Sequence, residues 1–459
     1  MLFSSLEFVF LFLPVALIAY YATPRKLKNL TLFLLSILFY AFGEILLLPI
    51  FLLTVFASYG FGIIIGKLKK GSAQRRIALI VAIGFDLAFL IYFKYFDFLR
   101  EAIFGVEPLG ILLPIGISFY TFQAISYEID VYRGDVAYTK NFINFGTYIS
   151  LFPQLIAGPI VKYSDVEVEL HSREHSISKA ADGIRIFVCG YAKKAVLANS
   201  AGAAFESFCD SESYLSAILC IFFFGMQIYF DFSAYSDMAI GLGRAFGFEL
   251  PKNFDYPYIS RSVSEFWRRW HITLSSFFRE YVYIPLGGSR VSKMRLVFNL
   301  LTVWALTGIW HGAAWNFLLW GAYFAVLLIA EKLLLGRFLE KLPSFLARIY
   351  SLFFIFLGWL IFATDGVTLS AKQGLSLLSR LFFVGAESFV LESELYLLVG
   401  LLPFIVILCV GSTPLVRRAY AFLSGKCGAL FALLPIVGFI ISVAYTAGAG
   451  YNPFLYFRF

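Results

Sequence analysis

The sequence predicts an all-α polytopic membrane protein, and three observations carry that reading. Of 459 residues, 60% are hydrophobic and only 14% are charged, where a soluble domain carries about 25% charged residues. The mean hydropathy is +0.81. Apolar segments recur along the whole chain, many near the ~20 residues that a helix needs to cross a bilayer. Lipid offers the backbone no hydrogen-bond partners, so such segments are helices. About 11 transmembrane or partly spanning helices are predicted on that length rule.

Taken in order, Met1–Phe8 has no basic n-region and no small-residue cleavage site follows it. Phe8–Ala22 is therefore expected to be a retained helix rather than a signal peptide. Leu30–Leu47, Leu53–Ile65 and Ile77–Ile91 complete a plain set of N-terminal spans through residue 105. Arg25, Lys26 and Lys28 follow the first span, and Lys67, Lys69, Lys70, Arg75 and Arg76 follow the third. These loops are expected on the cytoplasmic side, with the N-terminus outside. The net charge of +8 is thus a topology signal, and its position between spans argues against nucleic-acid binding.

The texture changes over 106–330. The apolar cores Ile111–Ile125, Phe145–Ile160, Ala217–Phe230, Val297–Trp310 and Phe317–Ile329 are short or interrupted by Gly and Pro. Gln123, Asp231, Asp237, Arg244 and Asn316 lie in or beside them. Polar groups at that depth are costly and usually face a cavity or one another. The connections 165–180 and 252–296 are polar, and the second carries Arg261, Arg268, Arg269 and Arg279, which places it on the cytoplasmic side. Residues 331–459 return to plain spans at Phe353–Phe362, Leu397–Val410 and Leu430–Ala444. The whole chain reads as one transmembrane domain without internal repeats. Its five cysteines show no CxxC spacing and are expected to be small core residues, without a disulfide or a metal site.

Chemistry concentrates on two histidines. Leu300–Gly321, LLTVWALTGIWHGAAWNFLLWG, buries His311 in an apolar run. A neutral imidazole there could take a proton from a hydroxyl; the alternative is a structural histidine bonded to a neighbouring helix. Gly308 and Gly312 flank it as GxxxG, which allows close backbone approach, and Trp310 and Trp315 are expected to crowd it. Ser264–Tyr281, SEFWRRWHITLSSFFREY, reads as one amphipathic helix. Trp267, Trp270 and His271 lie on its apolar face, and Arg268 and Arg269 are placed to meet phosphates; an interfacial helix at the headgroups is the alternative. His171 and His175 lie in a charged loop expected to be solvated. No GxSxG elbow, Walker A loop or Rossmann fingerprint is present.

These strings resemble the membrane-bound O-acyltransferase (MBOAT) superfamily, and within it the alginate O-acetyltransferase branch of bacterial envelope proteins. The matching segments are Leu113–Gly134, Phe152–Tyr163, the GYAKK stretch around Lys193 and Lys194, Gln227–Phe248, Asn253–Tyr258, Phe266–Gly288, Leu306–Phe317 and the final Pro453–Phe459. The resemblance implies a ring of helices with a cytoplasmic funnel and a central tunnel. It implies that His311 is the catalytic histidine and that His271 is a second functional position. It also implies acetyl-CoA as acyl donor and a periplasmic or extracellular SGNH-type transferase as partner. That partner would acetylate a polysaccharide of alginate, cellulose or peptidoglycan type, from a protein in the bacterial inner membrane. Tyr456 in LYFRF resembles a tyrosine acyl carrier in a related envelope system; an interfacial anchor is the alternative. Donor or tunnel candidates are Trp267, Arg268, Arg269, Trp270, Trp310, Asn316 and Lys194. After Gly358–Phe362 the family usually has an arginine, and this chain has Ala363. Two other classes stay open: a transporter or scaffold subunit of a polysaccharide export complex, and an acyltransferase using a D-alanyl or lipid acyl group.

Overall fold

The computed structural model describes residues 2–156, 158–424, 428–449 and 454–455, and among them every regular element is a helix. In chain order these are α1 (Phe8–Ala22), α2 (Lys28–Glu44), α3 (Leu48–Lys67), α4 (Ala73–Phe104), α5 (Ile117–Arg133), α6 (Phe142–Ser150) and α7 (Phe152–Leu155). Next come α8 (Tyr163–His171), α9 (Ile177–Ala192), α10 (Asn199–Cys209), α11 (Tyr214–Ala245), α12 (Val263–Arg269), α13 (Ile272–Phe278) and α14 (Lys293–His311). The last are α15 (Trp315–Lys341), α16 (Ser344–Ala363), α17 (Ala371–Leu381), α18 (Glu392–Gly411), α19 (Leu415–Ser424) and α20 (Gly428–Ala449). Among the described residues, 7 helices are long and apolar enough to cross a membrane: α2 with its preceding turn, α3, α4, α11, α15, α16 and α18. The fold is therefore the all-α polytopic membrane fold that the composition predicts.

Several boundaries differ from the hydropathy reading. The expected core Ile111–Ile125 starts as non-helical chain, and α5 begins only at Ile117, after Gly116 turns at φ +76°. Side chains of neighbouring helices pin that stretch. Asp97 accepts from the N–H groups of Leu109 and Ile111, and Glu44 accepts from that of Ile115. The expected core Phe145–Ile160 is divided between α6 and the single turn α7, with Pro153 inside the latter. Hydropathy missed both because it weighs side chains and does not see where the backbone finds its partners.

The chain divides into two compact units, residues 1–190 with 235–252, and residues 191–234 with 253–459. The first unit packs α3 and α4 against α5, and α2 against α6. A cluster of Phe3, Phe8, Phe12, Phe39 and Phe152 fills it. Where α9 meets α11, Gly183 and Gly241 face each other so closely that a Cβ on either would strike the other helix's backbone. Arg244, expected near a cavity, instead lies in a half-buried ion network with Asp182 and Glu249. His175 is half-buried rather than solvated. Its Nε2 lies 2.7 Å from the Tyr20 hydroxyl, which donates to Phe246 O and accepts from Arg173.

The second unit is built on an aromatic core. Trp267, Trp270, Trp304, Trp320 and Trp359 are all buried there, with Phe266, Phe317, Phe324 and Phe362 between them. The expectation of unpaired cysteines is corrected at one point: Cys209 in α10 is joined to Cys220 in α11 by a disulfide, because the turn at 210–213 brings their Cα atoms to 5.4 Å.

Candidate active site

Both histidines singled out from the sequence lie in the second unit, and their surroundings differ. The predicted single helix Ser264–Tyr281 is in fact two, α12 and α13, broken at Trp270 and His271. Trp270 is extended, and His271 takes the left-handed conformation at φ 43°, which costs a non-glycine residue energy and persists only where the surroundings enforce it. The segment 253–255 does so. Asn253 O accepts from Ile272 N (2.9 Å), and Asp255 N donates to Arg269 O (2.9 Å). The Asn253 side-chain carbonyl then accepts from His271 Nδ1 (3.0 Å), Thr273 Oγ1 (3.0 Å) and Thr273 N (3.3 Å).

This arrangement fixes the chemistry of His271, which lies outside all the candidate spans. The side chain is 1% exposed, and burial pushes its pKa down to about 3. The ring is therefore neutral near pH 7. Because Nδ1 keeps its proton and donates a hydrogen bond to Asn253, Nε2 carries the lone pair. The phenyl ring of Phe232 stands edge-on to the imidazole at 4.8 Å, and Trp310 lies 5.9 Å away.

His311 is the last residue of α14, 6% exposed. Rings of Trp320 (4.9 Å), Trp310 (5.0 Å) and Phe362 (5.4 Å) surround it. Trp310 thus neighbours both histidines. Trp315, expected in this cage, is 65% exposed; Trp320, one turn and more further along α15, takes the place. The GxxxG reading holds for packing. A Cβ on Gly308 would strike the Phe317 carbonyl and one on Gly312 the Phe317 ring, so α14 and α15 touch through small residues. Asn316 donates to Phe362 O (3.1 Å) and ties α15 to the end of α16. Ala363, where an arginine was expected, is buried at 1%.

A cavity of about 760 Å³ opens beside this cage, within the ~300–1,000 Å³ of small-molecule sites. Arg261, Arg268, Arg279 and Lys332 supply positive charge, while Trp267, Leu274, Phe278, Leu300 and Trp304 supply an apolar wall. Its lining includes Thr307, one helical turn before His311 on the same face of α14. Trp267 stands between the cavity and the cage, 4.6 Å from Trp304 and 5.5 Å from Trp320. Glu331 closes another side, its carboxylate accepting from the N–H groups of Val263 and Ser264 at the start of α12.

Of the predicted phosphate contacts, only Arg268 faces this cavity. Arg269 is held by Glu265 (2.9 Å) and Asp255 (3.3 Å). Lys194 is buried against Asp231. Trp270 packs on Trp359 at 4.7 Å, behind the cavity rather than on it. Tyr456 lies outside the described residues. Asn253, Trp320 and Lys332 were not singled out, Arg261 was named only as a charge of the 252–296 connection, and Arg279 only among the arginines flanking the amphipathic segment. Asn253 had one legible signal, as the first residue of the NFDYPY string that matched without an assigned role.

Comparisons with known proteins bear on the family of the chain. The model of "MBOAT, membrane-bound O-acyltransferase family" matches residues 37–369. The chain is 41% identical to a "Probable alginate O-acetylase AlgI" of Azotobacter vinelandii, over 81% of this chain and 77% of the relative. It is 35% identical to the protein of the same description from Pseudomonas putida, over 100% of both chains. It is 33% identical to a "Peptidoglycan O-acetyltransferase" of Helicobacter pylori, over 81% of this chain and 79% of the relative.

Proposed function

This chain belongs to the membrane-bound O-acyltransferase family, and from that premise we propose that it takes an acetyl group from cytoplasmic acetyl-CoA for O-acetylation of an extracytoplasmic polysaccharide. That it is a multi-pass membrane O-acyltransferase follows from the family. The donor, the route and the acceptor are the proposal. The relatives named for alginate and peptidoglycan support a polysaccharide acceptor of that kind. The observation that carries the reading is a cavity lined by four cations, two carboxylates and an apolar wall, with Thr307 in its lining one helical turn from a buried histidine. An acyl-CoA has matching parts: phosphates, a thin arm, and a thioester that must be kept from water.

In this reading Arg261, Arg268, Arg279 and Lys332 hold the phosphates, and the arm lies along Trp267 and Trp304. A hydroxyl, that of Tyr456 in the proposed relay, attacks the thioester carbonyl. His311 takes its proton as the C–O bond forms, and the C–S bond breaks. The proton passes to the departing sulfur, leaving an acetyl ester and a free CoA thiol. His271 presents a lone pair at Nε2, so it orients a donor group and cannot itself donate to the carbonyl. Trp320 is fully buried beside His311, and its Nε1–H has no partner among the described residues. It is the donor for the oxygen that becomes negative. A periplasmic SGNH-type transferase then moves the acetyl group to the polymer.

Base-labile acetate in the envelope and secreted polymer tests this in wild type, a deletion, and the deletion complemented with His311→Ala at matched membrane abundance. The expected result is that acetate falls in the deletion and that His311→Ala does not restore it. The loss of one general base predicts a ~10²–10⁴-fold drop in rate. Full restoration by His311→Ala would remove the catalytic assignment and leave a transport or scaffold role.

A further inference from the structure

A buried ion pair in the second unit is not used by the mechanism above. Lys194 Nζ and Asp231 Oδ1 are 2.6 Å apart, with side chains 4% and 2% exposed. Asp231 lies near the middle of α11, a candidate membrane span. Charges at that depth are costly even when paired, and an apolar pair of the same size would usually serve packing as well. Such a pair therefore calls for a task.

The other carboxylate oxygen shows one. Asp231 Oδ2 accepts from the backbone N–H of Leu455 at 2.6 Å, across 224 residues of sequence. The Lys194 ammonium stands 4.7 Å from the centre of the Phe454 ring, within cation–π range. Phe454 and Leu455 are 0% and 6% exposed, and Leu455 belongs to the same apolar cluster as Trp267, Trp320 and Phe362. One carboxylate thus grips a tail main-chain donor that has no water to bond to, and one ammonium covers the adjacent ring.

We propose that Lys194 and Asp231 form a docking site for the chain's own C-terminal tail, gripping the peptide immediately before Tyr456. They are positioning residues, and they act by presenting the tail to the cage of His311. This step rests on the reading that Tyr456 receives the acetyl group. No atom of the pair joins the reaction, so the balance written above is unchanged.

The test uses full-length protein in nanodiscs and two perturbations from opposite sides. Lys194→Met with Asp231→Leu removes the acceptor and both charges together, so no lone charge is left buried. Leu455→Pro removes the donor together with the buried Leu455 side chain, and Leu455→Ala, which keeps the N–H, separates the two. Each variant is scored for trimming by carboxypeptidase Y, read by intact mass, for acetyl transfer from acetyl-CoA, and for thermal unfolding. Expected for the Met/Leu variant and Leu455→Pro are trimming at least ten times faster than wild type, kcat at least ten times lower with the KM for acetyl-CoA unchanged, and an unfolding midpoint near wild type. Combining the perturbations should add nothing, because both break one contact. Wild-type trimming of Leu455→Pro, or additive effects in the combination, would overturn the docking site. If the Met/Leu variant does not fold, Leu455→Pro alone decides. Tyr456→Phe separates the two readings: wild-type transfer there ends the carrier role, while trimming still decides the docking site.

Discussion

His271 is held by main-chain geometry before any chemistry begins. Its ring acquires a defined lone pair because the Asn253 side-chain carbonyl accepts a hydrogen bond from the N–H on the other nitrogen. Asn253→Leu should keep the fold and lower acetyl transfer by ~10–100-fold, the usual cost of losing a partner that orients a histidine; transfer kinetics at matched abundance check this. His175 makes a different prediction. Burial first, then Lys28 and Arg173, lower its pKa. The unfolded chain takes up a proton near pH ~6.5, where the folded ring does not. Its contribution is thus complete above that pH and is lost as pH falls. The thermal midpoint should drop between pH 7.5 and 5.5, and His175→Gln, which keeps the bond to Tyr20, should flatten that slope. His311 was legible as a candidate because a titratable group stood in an apolar run. Asn253 was legible only as part of the NFDYPY string, because an asparagine in a loop has no assigned partner until its three donors are in place.

At the scale of elements, apolar periodicity located most spans but failed where the chain leaves the helix inside an apolar stretch. Residues 106–115 and the break between α6 and α7 are of that kind. The break at His271 is another, since SEFWRRWHITLSSFF keeps helical spacing across it and only the pairing with 253–255 reveals it. The crossing of α14 and α15 was better signalled, by Gly308 and Gly312. Gly308→Leu should separate these helices and lower stability by ~1–3 kcal/mol, the range for overpacking a close contact. Gly84→Leu in α4, where a Cβ meets nothing within 4 Å, should leave the midpoint unchanged. Thermal unfolding of the two purified variants, read side by side, decides.

At the scale of the whole molecule, composition alone sufficed for the class: a chain 14% charged has no soluble solution to its burial problem. The orientation in the membrane follows from the basic loops and is a prediction. A cysteine at Lys69 should react with an impermeant maleimide only in inverted vesicles, and labelling of intact spheroplasts would reverse the assignment. What the sequence could not convey is how unevenly the large rings are spent. Of 7 tryptophans, Trp267, Trp270, Trp304, Trp310, Trp320 and Trp359 are buried in the second unit's core and cage, and only Trp315 stands exposed at 65%. The protein therefore carries its own optical reporter. With Trp315→Phe removing the outlier, all tryptophan emission would originate in the core and cage of the second unit, with Trp267 and Trp304 on the cavity itself. Arrival of a donor, departure of a thiol, or entry of water would each be visible as a change in intensity or colour, without attaching any dye.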